Sequence, residues 1–98
     1  MNNFDFQVGD EITSNDSDDV RTYLVASTNL ANDNWVICIN RDDGWHYAFR
    51  KVLIHKTGRH FLFSEKLLKE IQESLAYRYN ITKKLLSDEH ITLVAEAM

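Results

Sequence analysis

The sequence of 98 residues contains no proline, three glycines and one cysteine. Without proline there is no proline-rich linker, and no low-complexity run or internal repeat divides the chain, so residues 1–98 read as a single domain. The glycines Gly9, Gly44 and Gly58 stand far apart, which leaves no glycine-rich loop to cradle a phosphate. No serine sits in a glycine-flanked elbow, and no Cys-His pair is specified by spacing. Cys38 has no partner for an internal disulfide; lying in the most apolar run, it reads as a buried, reduced thiol. No apolar run approaches the roughly 20 residues of a membrane-spanning helix. The opening Met-Asn-Asn-Phe-Asp-Phe-Gln has neither the basic segment nor the apolar core of a secretory signal. A cytoplasmic location is the default expectation that follows.

What is present is the composition of a folded protein, 44% hydrophobic with 11% aromatics. A chain of this length buries roughly 60–70% of the surface its unfolded form exposes, enough for one core without staples. The formal net charge is −4, unevenly distributed. Residues 1–49 carry nine acids against two bases, whereas residues 50–98 carry nine bases against six acids. Such a dipole steers charged partners if the two halves also separate in space.

The clearest element is a β-hairpin from Trp35 to Lys56, with two aromatic and β-branched runs joined at Asp43-Gly44, a dipeptide suited to the positive φ of a tight turn. Trp35, Ile37 and Ile39 face one way and Val36 and Cys38 the other, which predicts an interior strand. In the return strand Trp45, Tyr47 and Phe49 share one parity and Val52 and Ile54 the other, so a β-bulge or corner is expected at Arg50-Lys51. Upstream, Phe4, Phe6, Val8 and Ile12 share a parity that predicts one half-buried strand, bent at Gly9. A loop at Thr13–Asp19 and a second strand, apolar on both faces, at Val20–Thr28 follow. Downstream, Thr57-Gly58-Arg59 reads as a turn and His60–Phe63 as a short strand.

Ser64 is the expected N-cap of a helix, with Glu65 in its first turn. Leu68, Ile71, Leu75, Tyr79, Thr82 and Leu86 make one amphipathic stripe, widened at its ends by Leu67 and Leu85, so a helix is expected over residues 64–86, continuous or broken near Asn80. Residues 91–97 alternate as a terminal strand, with a short helix capped by Ser87 as the alternative.

The fold class is therefore α+β: a small, strongly curved antiparallel sheet of four to five strands, residues 1–63 being mainly β, with one long amphipathic helix packed on it. The pentapeptide Val8-Gly9-Asp10-Glu11-Ile12 is similar to the opening strand of many small SH3-like barrels, and the strand count over the first sixty residues resembles them too. That resemblance implies a partial barrel and carries no functional residue across.

For chemistry, Asp16, Asp18 and Asp19 have part of the spacing of a calcium loop but neither its glycine nor its closing glutamate, so a solvated loop is expected. His55 and His60 with Cys38 make an incomplete zinc set, so hydrogen-bonded histidines are expected, with no metal and no cofactor. The expectation is a small, acidic, non-enzymatic module that binds another protein, of the inhibitor or regulator type found among immunity and phage counter-defence proteins, and directed at a basic surface. Its contact residues would be Asp16, Asp18, Asp19, Asp42 and Asp43. The alternative is a single-stranded nucleic-acid-binding domain using Arg50, Lys51, His55, Lys56 and Arg59 beside Trp45, Tyr47 and Phe49, cations for the backbone and rings for the bases. A pI near 5.4 opposes the alternative. Self-association through an exposed sheet edge is a further expectation.

Overall fold

The computed structural model describes residues 5–15, 21–28, 33–77 and 83–96. Its strands are β1 (Asp10–Ser14), β2 (Thr22–Ser27), β3 (Trp35–Ile39), β4 (His46–Arg50), β5 (Ile54–Phe63) and β6 (Ile91–Glu96). One helix, α1 (Glu65–Tyr77), follows β5, and 3-10 turns occupy Lys51–Leu53 and Lys83–Leu86. All pairings are antiparallel, in the order β4-β3-β2-β1-β5-β6. The sheet has six strands and stays open, instead of the four to five of an SH3-like partial barrel. The extra strand is β6, which prolongs the sheet beyond β5.

The sheet is apolar on both faces because its interior strands are. On one face Leu24, Ala26, Ile39, Phe61, Phe63 and Ile91 pack against Leu67 and Ile71 of α1 and against Leu85 and Leu86. On the other, Ile12, Tyr23, Val25, Val36, Cys38 and Ile54 form a second core, which Phe6 joins from before β1. β2 and β3, expected to be apolar on both sides, each supply both cores. Burial pushes the pKa of the Cys38 thiol far up, since the thiolate would lose its hydration.

Several expectations are corrected. Residues 5–9 are not strand: Phe6 joins the second core while Val8 packs against the first, because a turn at Val8-Gly9 breaks their shared parity. Gly9, at φ +98°, donates its N–H to the Val25 carbonyl at 2.9 Å and accepts the Phe61 N–H at 2.8 Å, so it ties the start of β1 to both neighbours. The parity switch at Arg50-Lys51 is a 3-10 turn that ends the hairpin. Residues 54–56 therefore belong to β5 and pair with β1, not with β3. Gly58, at φ +99°, does not reverse the chain; it lies inside the ten-residue β5, where the register with β1 shifts.

The helix is described over Glu65–Tyr77, and Lys83–Leu86, expected to be its last turn, form a 3-10 turn; Asn80 lies outside the described residues. Ser64 caps it as expected, its Oγ accepting the Leu67 N–H at 3.1 Å, and Glu65 occupies the first turn. Of the expected stripe and the leucines that widen it, Leu67, Ile71, Leu85 and Leu86 are buried, whereas Leu68 is 39% exposed. Tyr79 and Thr82 of that stripe lie outside the described residues, as do Asp16, Asp18 and Asp19. The terminal segment is a strand, as read, with only Ile91 of it buried. No helix among the described residues is long and apolar enough to cross a membrane.

Candidate functional site

The acidic first half and basic second half meet along the β1–β5 ladder. Asp10 is buried; its carboxylate accepts the Gln7 N–H at 2.8 Å, lies 2.7 Å from His60 Nδ1 and 3.9 Å from Lys56 Nζ. The adjacent Glu11, also buried, accepts the Thr57 hydroxyl at 2.8 Å and faces Arg59 Nη1 at 3.5 Å. Two neighbouring acids thus engage two cations of the basic segment, Lys56 and Arg59, and the His60 ring. Of the remaining residues in that segment, Arg50 is exposed at the end of β4 and Lys51 lies half-buried in the 3-10 turn. The His55 ring hydrogen-bonds Thr13 Oγ1 at 3.0 Å and the Asn15 side chain. The aromatics divide likewise: Tyr47 and Phe49 pack edge-on against Tyr23 at 5.2 and 4.8 Å, and Trp45 is 48% exposed. The structure does not gather Arg50, Lys51, His55, Lys56 and Arg59 into one surface beside exposed rings. His55 and His60 have separate partners, and among the described residues no group of three His, Cys, Asp or Glu side chains is placed to hold a metal.

At the hairpin's other end, Asn40 organises the connection: its side-chain oxygen accepts the N–H groups of Asp42 at 2.8 Å and Asp43 at 3.3 Å. Gly44, at φ +73°, closes the turn by donating its N–H to the Asn40 carbonyl at 2.7 Å. The Asp43 carboxylate accepts the Trp45 N–H at 2.8 Å and the Tyr47 hydroxyl at 2.7 Å. Asp43 is therefore a turn-forming residue. Its hydrogen bond and its charge hold the Tyr47 pKa above the ordinary value, with desolvation adding to both and the nearby Arg21 opposing them. Asp42, beside it, is exposed.

Two features remain uncommitted to the fold. The first is a polar cleft of about 370 Å³ where the helix-side core ends, lined by Arg41, Arg59, Glu11 and Asp42 with Thr22, Leu24, Phe61 and Leu86. Arg41 is pinned by the Leu86 carbonyl, at 3.2 Å from Nε and 2.9 Å from Nη2, and by Asp88 at 3.0 Å. The guanidinium carbons of Arg41 and Arg59 stand 6.0 and 5.1 Å from the centre of the Phe61 ring. Arg59 Nε is buried without a hydrogen-bond partner; Glu96, at 3.9 Å, is beyond reach. Sequence reading missed Arg41 and Glu11, because only the β1–β5 pairing and the return of Leu86 bring them together. A buried strand position occupied by a glutamate was the available signal.

The second feature is the β5–β6 side of the sheet. β6 pairs with β5 alone among the described strands, and its only charged residue is Glu96. Val94 is 54% and Leu93 41% exposed, and Leu62 on β5 is 62% exposed. The opposite edge, β4, carries His46 and Arg50 and runs into Lys51, the kind of charged edge that resists pairing with another strand.

Comparison with protein-family models, with curated proteins and with solved structures finds no match for this chain.

Proposed function

We propose that this chain is a small, non-enzymatic protein-binding module that takes an extended strand of a partner protein onto β6. The observation that carries this reading is the β6 edge, unpaired among the described residues and flanked by exposed Leu62, Leu93 and Val94. Main-chain hydrogen bonds from such an edge supply affinity, and apolar side chains flanking it supply selectivity. The net charge of −4 favours a partner with a basic surface, and Asp16, Asp18, Asp19 and Asp42 contribute to its approach. An inhibitor that occupies a basic surface of a larger protein fits this size, charge and edge.

The test is affinity capture from the source cell with the wild type and with a Leu62→Lys/Val94→Lys double variant, both sites being exposed, so that an unchanged thermal midpoint shows an intact fold. A partner retained by the wild type and lost by the variant supports the assignment. Equal capture by both overturns it. A wild-type dimer by light scattering that becomes monomeric in the variant assigns the edge to a second copy and overturns the hetero-partner version.

A further inference from the structure

We infer, resting on the reading of β6 as the partner-binding edge, that the segment it takes is a short linear motif: an apolar run flanked by Lys or Arg, not the edge of another folded sheet. The backbone of β6 sets the length. Ser64 donates its N–H to the His90 carbonyl at 2.8 Å, so these two residues form a hydrogen-bonded pair at the start of the β5–β6 ladder. Bonded and non-bonded pairs alternate along an antiparallel ladder. In the register Phe63–Ile91, Leu62–Thr92, Phe61–Leu93, the next bonded pair is therefore Leu62–Thr92, and Ile91 and Leu93 turn their backbone groups outward. Phe61 agrees with this, since its N–H goes to the Gly9 carbonyl on the β1 side, away from Leu93.

The outward row is cut short at both ends. The Ile91 N–H is taken by the Ser87 carbonyl at 3.0 Å. Beyond Leu93 the pairing jumps from Phe61–Leu93 to His60–Ala95, which leaves Val94 as an extra residue of β6. Such a bulge throws the following residues out of step, so a flat strand loses its match there. The Ile91 carbonyl and both backbone groups of Leu93 remain, enough for a short peptide and too few for a long sheet edge.

Side chains set the chemistry. Leu93 lies on the helix-side face with its partner Phe61, and Thr92, backed by Leu62, on the other; all but Phe61 are exposed. A bound segment thus meets apolar surface on both of its faces. Residues 87–96 hold Asp88, Glu89 and Glu96 and no Lys or Arg. Arg41 pairs with Asp88, and Arg59 is divided between Glu96 and Glu11, which leaves four acids against two cations. Lys66 of α1 and Lys84 of the 3-10 turn are exposed and stand outside these pairs, and the His90 ring is held by Ser64. Exposed Glu89 precedes the outward row and exposed Glu96 follows it, so a cation at each end of the motif complements the edge.

The experiment titrates the intact 15N-labelled chain with the peptide acetyl-Lys-Val-Ile-Val-Lys-amide. A Glu-flanked form, and a Lys-flanked form whose Val-Ile run is doubled in length, serve as comparisons. The expected result is a saturable shift of the Leu93 amide, whose hydrogen exchange slows as the complex fills, while that of Thr92, already bonded to β5, does not change. The Glu-flanked form binds at least about fivefold more weakly, the effect of two exposed ion pairs. Glu89→Gln/Glu96→Gln, at two exposed side chains, removes that preference. Equal binding of the Lys- and Glu-flanked forms overturns the basic motif, and a gain above about tenfold for the doubled run overturns the short one; either leaves the β6 reading standing. If no peptide shifts Leu93 the inference falls, and the capture experiment decides the β6 reading separately. Leu93 shifts that grow with chain concentration alone assign the edge to a second copy and overturn both.

Discussion

Replacing Gly9 by alanine probes the point where three strands are fastened together. A Cβ on Gly9 would stand 2.0 Å from the Phe61 carbonyl oxygen and 3.1 Å from its carbon, both backbone atoms that cannot rotate aside. The residue also sits at φ +98°. Left-handed backbone costs a residue with a side chain about 1–2 kcal/mol, and displacing β5 weakens the 2.8 Å hydrogen bond from the Phe61 N–H to the Gly9 carbonyl, worth about 1 kcal/mol. Together with the strain of the contact, Gly9→Ala is expected to lose about 3 kcal/mol or more, against a total of about 5–15 kcal/mol for a chain of this size. At about 4–8 °C per kcal/mol, the thermal midpoint falls by about 12–24 °C. Gly58→Ala is the control. Its φ of +99° is nearly the same, so the backbone cost of about 1–2 kcal/mol is expected there without the Phe61 contact. Urea and thermal unfolding followed by circular dichroism measure both. Equal losses for the two variants would refute the close-contact reasoning, and a loss under about 1 kcal/mol for Gly9→Ala would refute the backbone term as well.

Two further perturbations test the second core and the helix. Tyr47 ionises later in the folded chain than in the unfolded one, so the stability it contributes is complete below about pH 10 and is lost as pH rises through the raised folded value. Tyr47→Phe should flatten the fall in urea midpoint above about pH 10 and remove a late-ionising tyrosine from the ultraviolet titration. Cys38 adds loss of the same sign in both proteins, so the difference between them isolates Tyr47; an unchanged slope would reject the Asp43 hydrogen bond as its cause. In the helix, Leu67→Ala should lose about 3 kcal/mol and Leu68→Ala about 1 kcal/mol or less, since only the first is fully buried. The same unfolding experiment reads both, and the reverse order would restore the stripe that simple spacing places on Leu68.

Local pattern made most of the elements legible, and pairing distance decided where it failed. β2 and β3 could be read as interior strands because their apolar residues fall on both parities, a property of the segment itself. The Ser64 cap and the terminal strand are local too. The phase break at Arg50-Lys51 was visible as a fault in alternation, but whether the chain then continues along the hairpin or crosses to β1 depends on a partner some forty residues upstream. Gly58 misled for a related reason. A glycine between polar residues reads as a turn, yet here it supplies the positive φ that lets the register between β5 and β1 shift. Within the helical stripe, leucines at 67 and 68 fit the period equally well, and the sheet beneath buries the first and leaves the second exposed. Of the candidate contact residues, Asp43 closes its own turn, a role that an aspartate before glycine does not reveal in sequence.

The same register shift explains why the charge dipole of the sequence is not carried whole into space. Between the pairs Ile12–Lys56 and Asp10–His60, one residue of β1 lies opposite three of β5. That excess brings Lys56, Arg59 and His60 within reach of two consecutive acids, Asp10 and Glu11. Successive strand residues point to opposite faces, so Asp10 engages its cations on one side of the sheet and Glu11 on the other. A large part of the basic segment is thereby neutralised by the acidic half before any partner is met. Arg59 is shared most widely: Glu11 holds one nitrogen, Phe61 lies against the guanidinium, Glu96 of β6 stands just beyond hydrogen-bonding distance, and Nε is left unmatched. The polar cleft and the β6 edge therefore adjoin at one side chain.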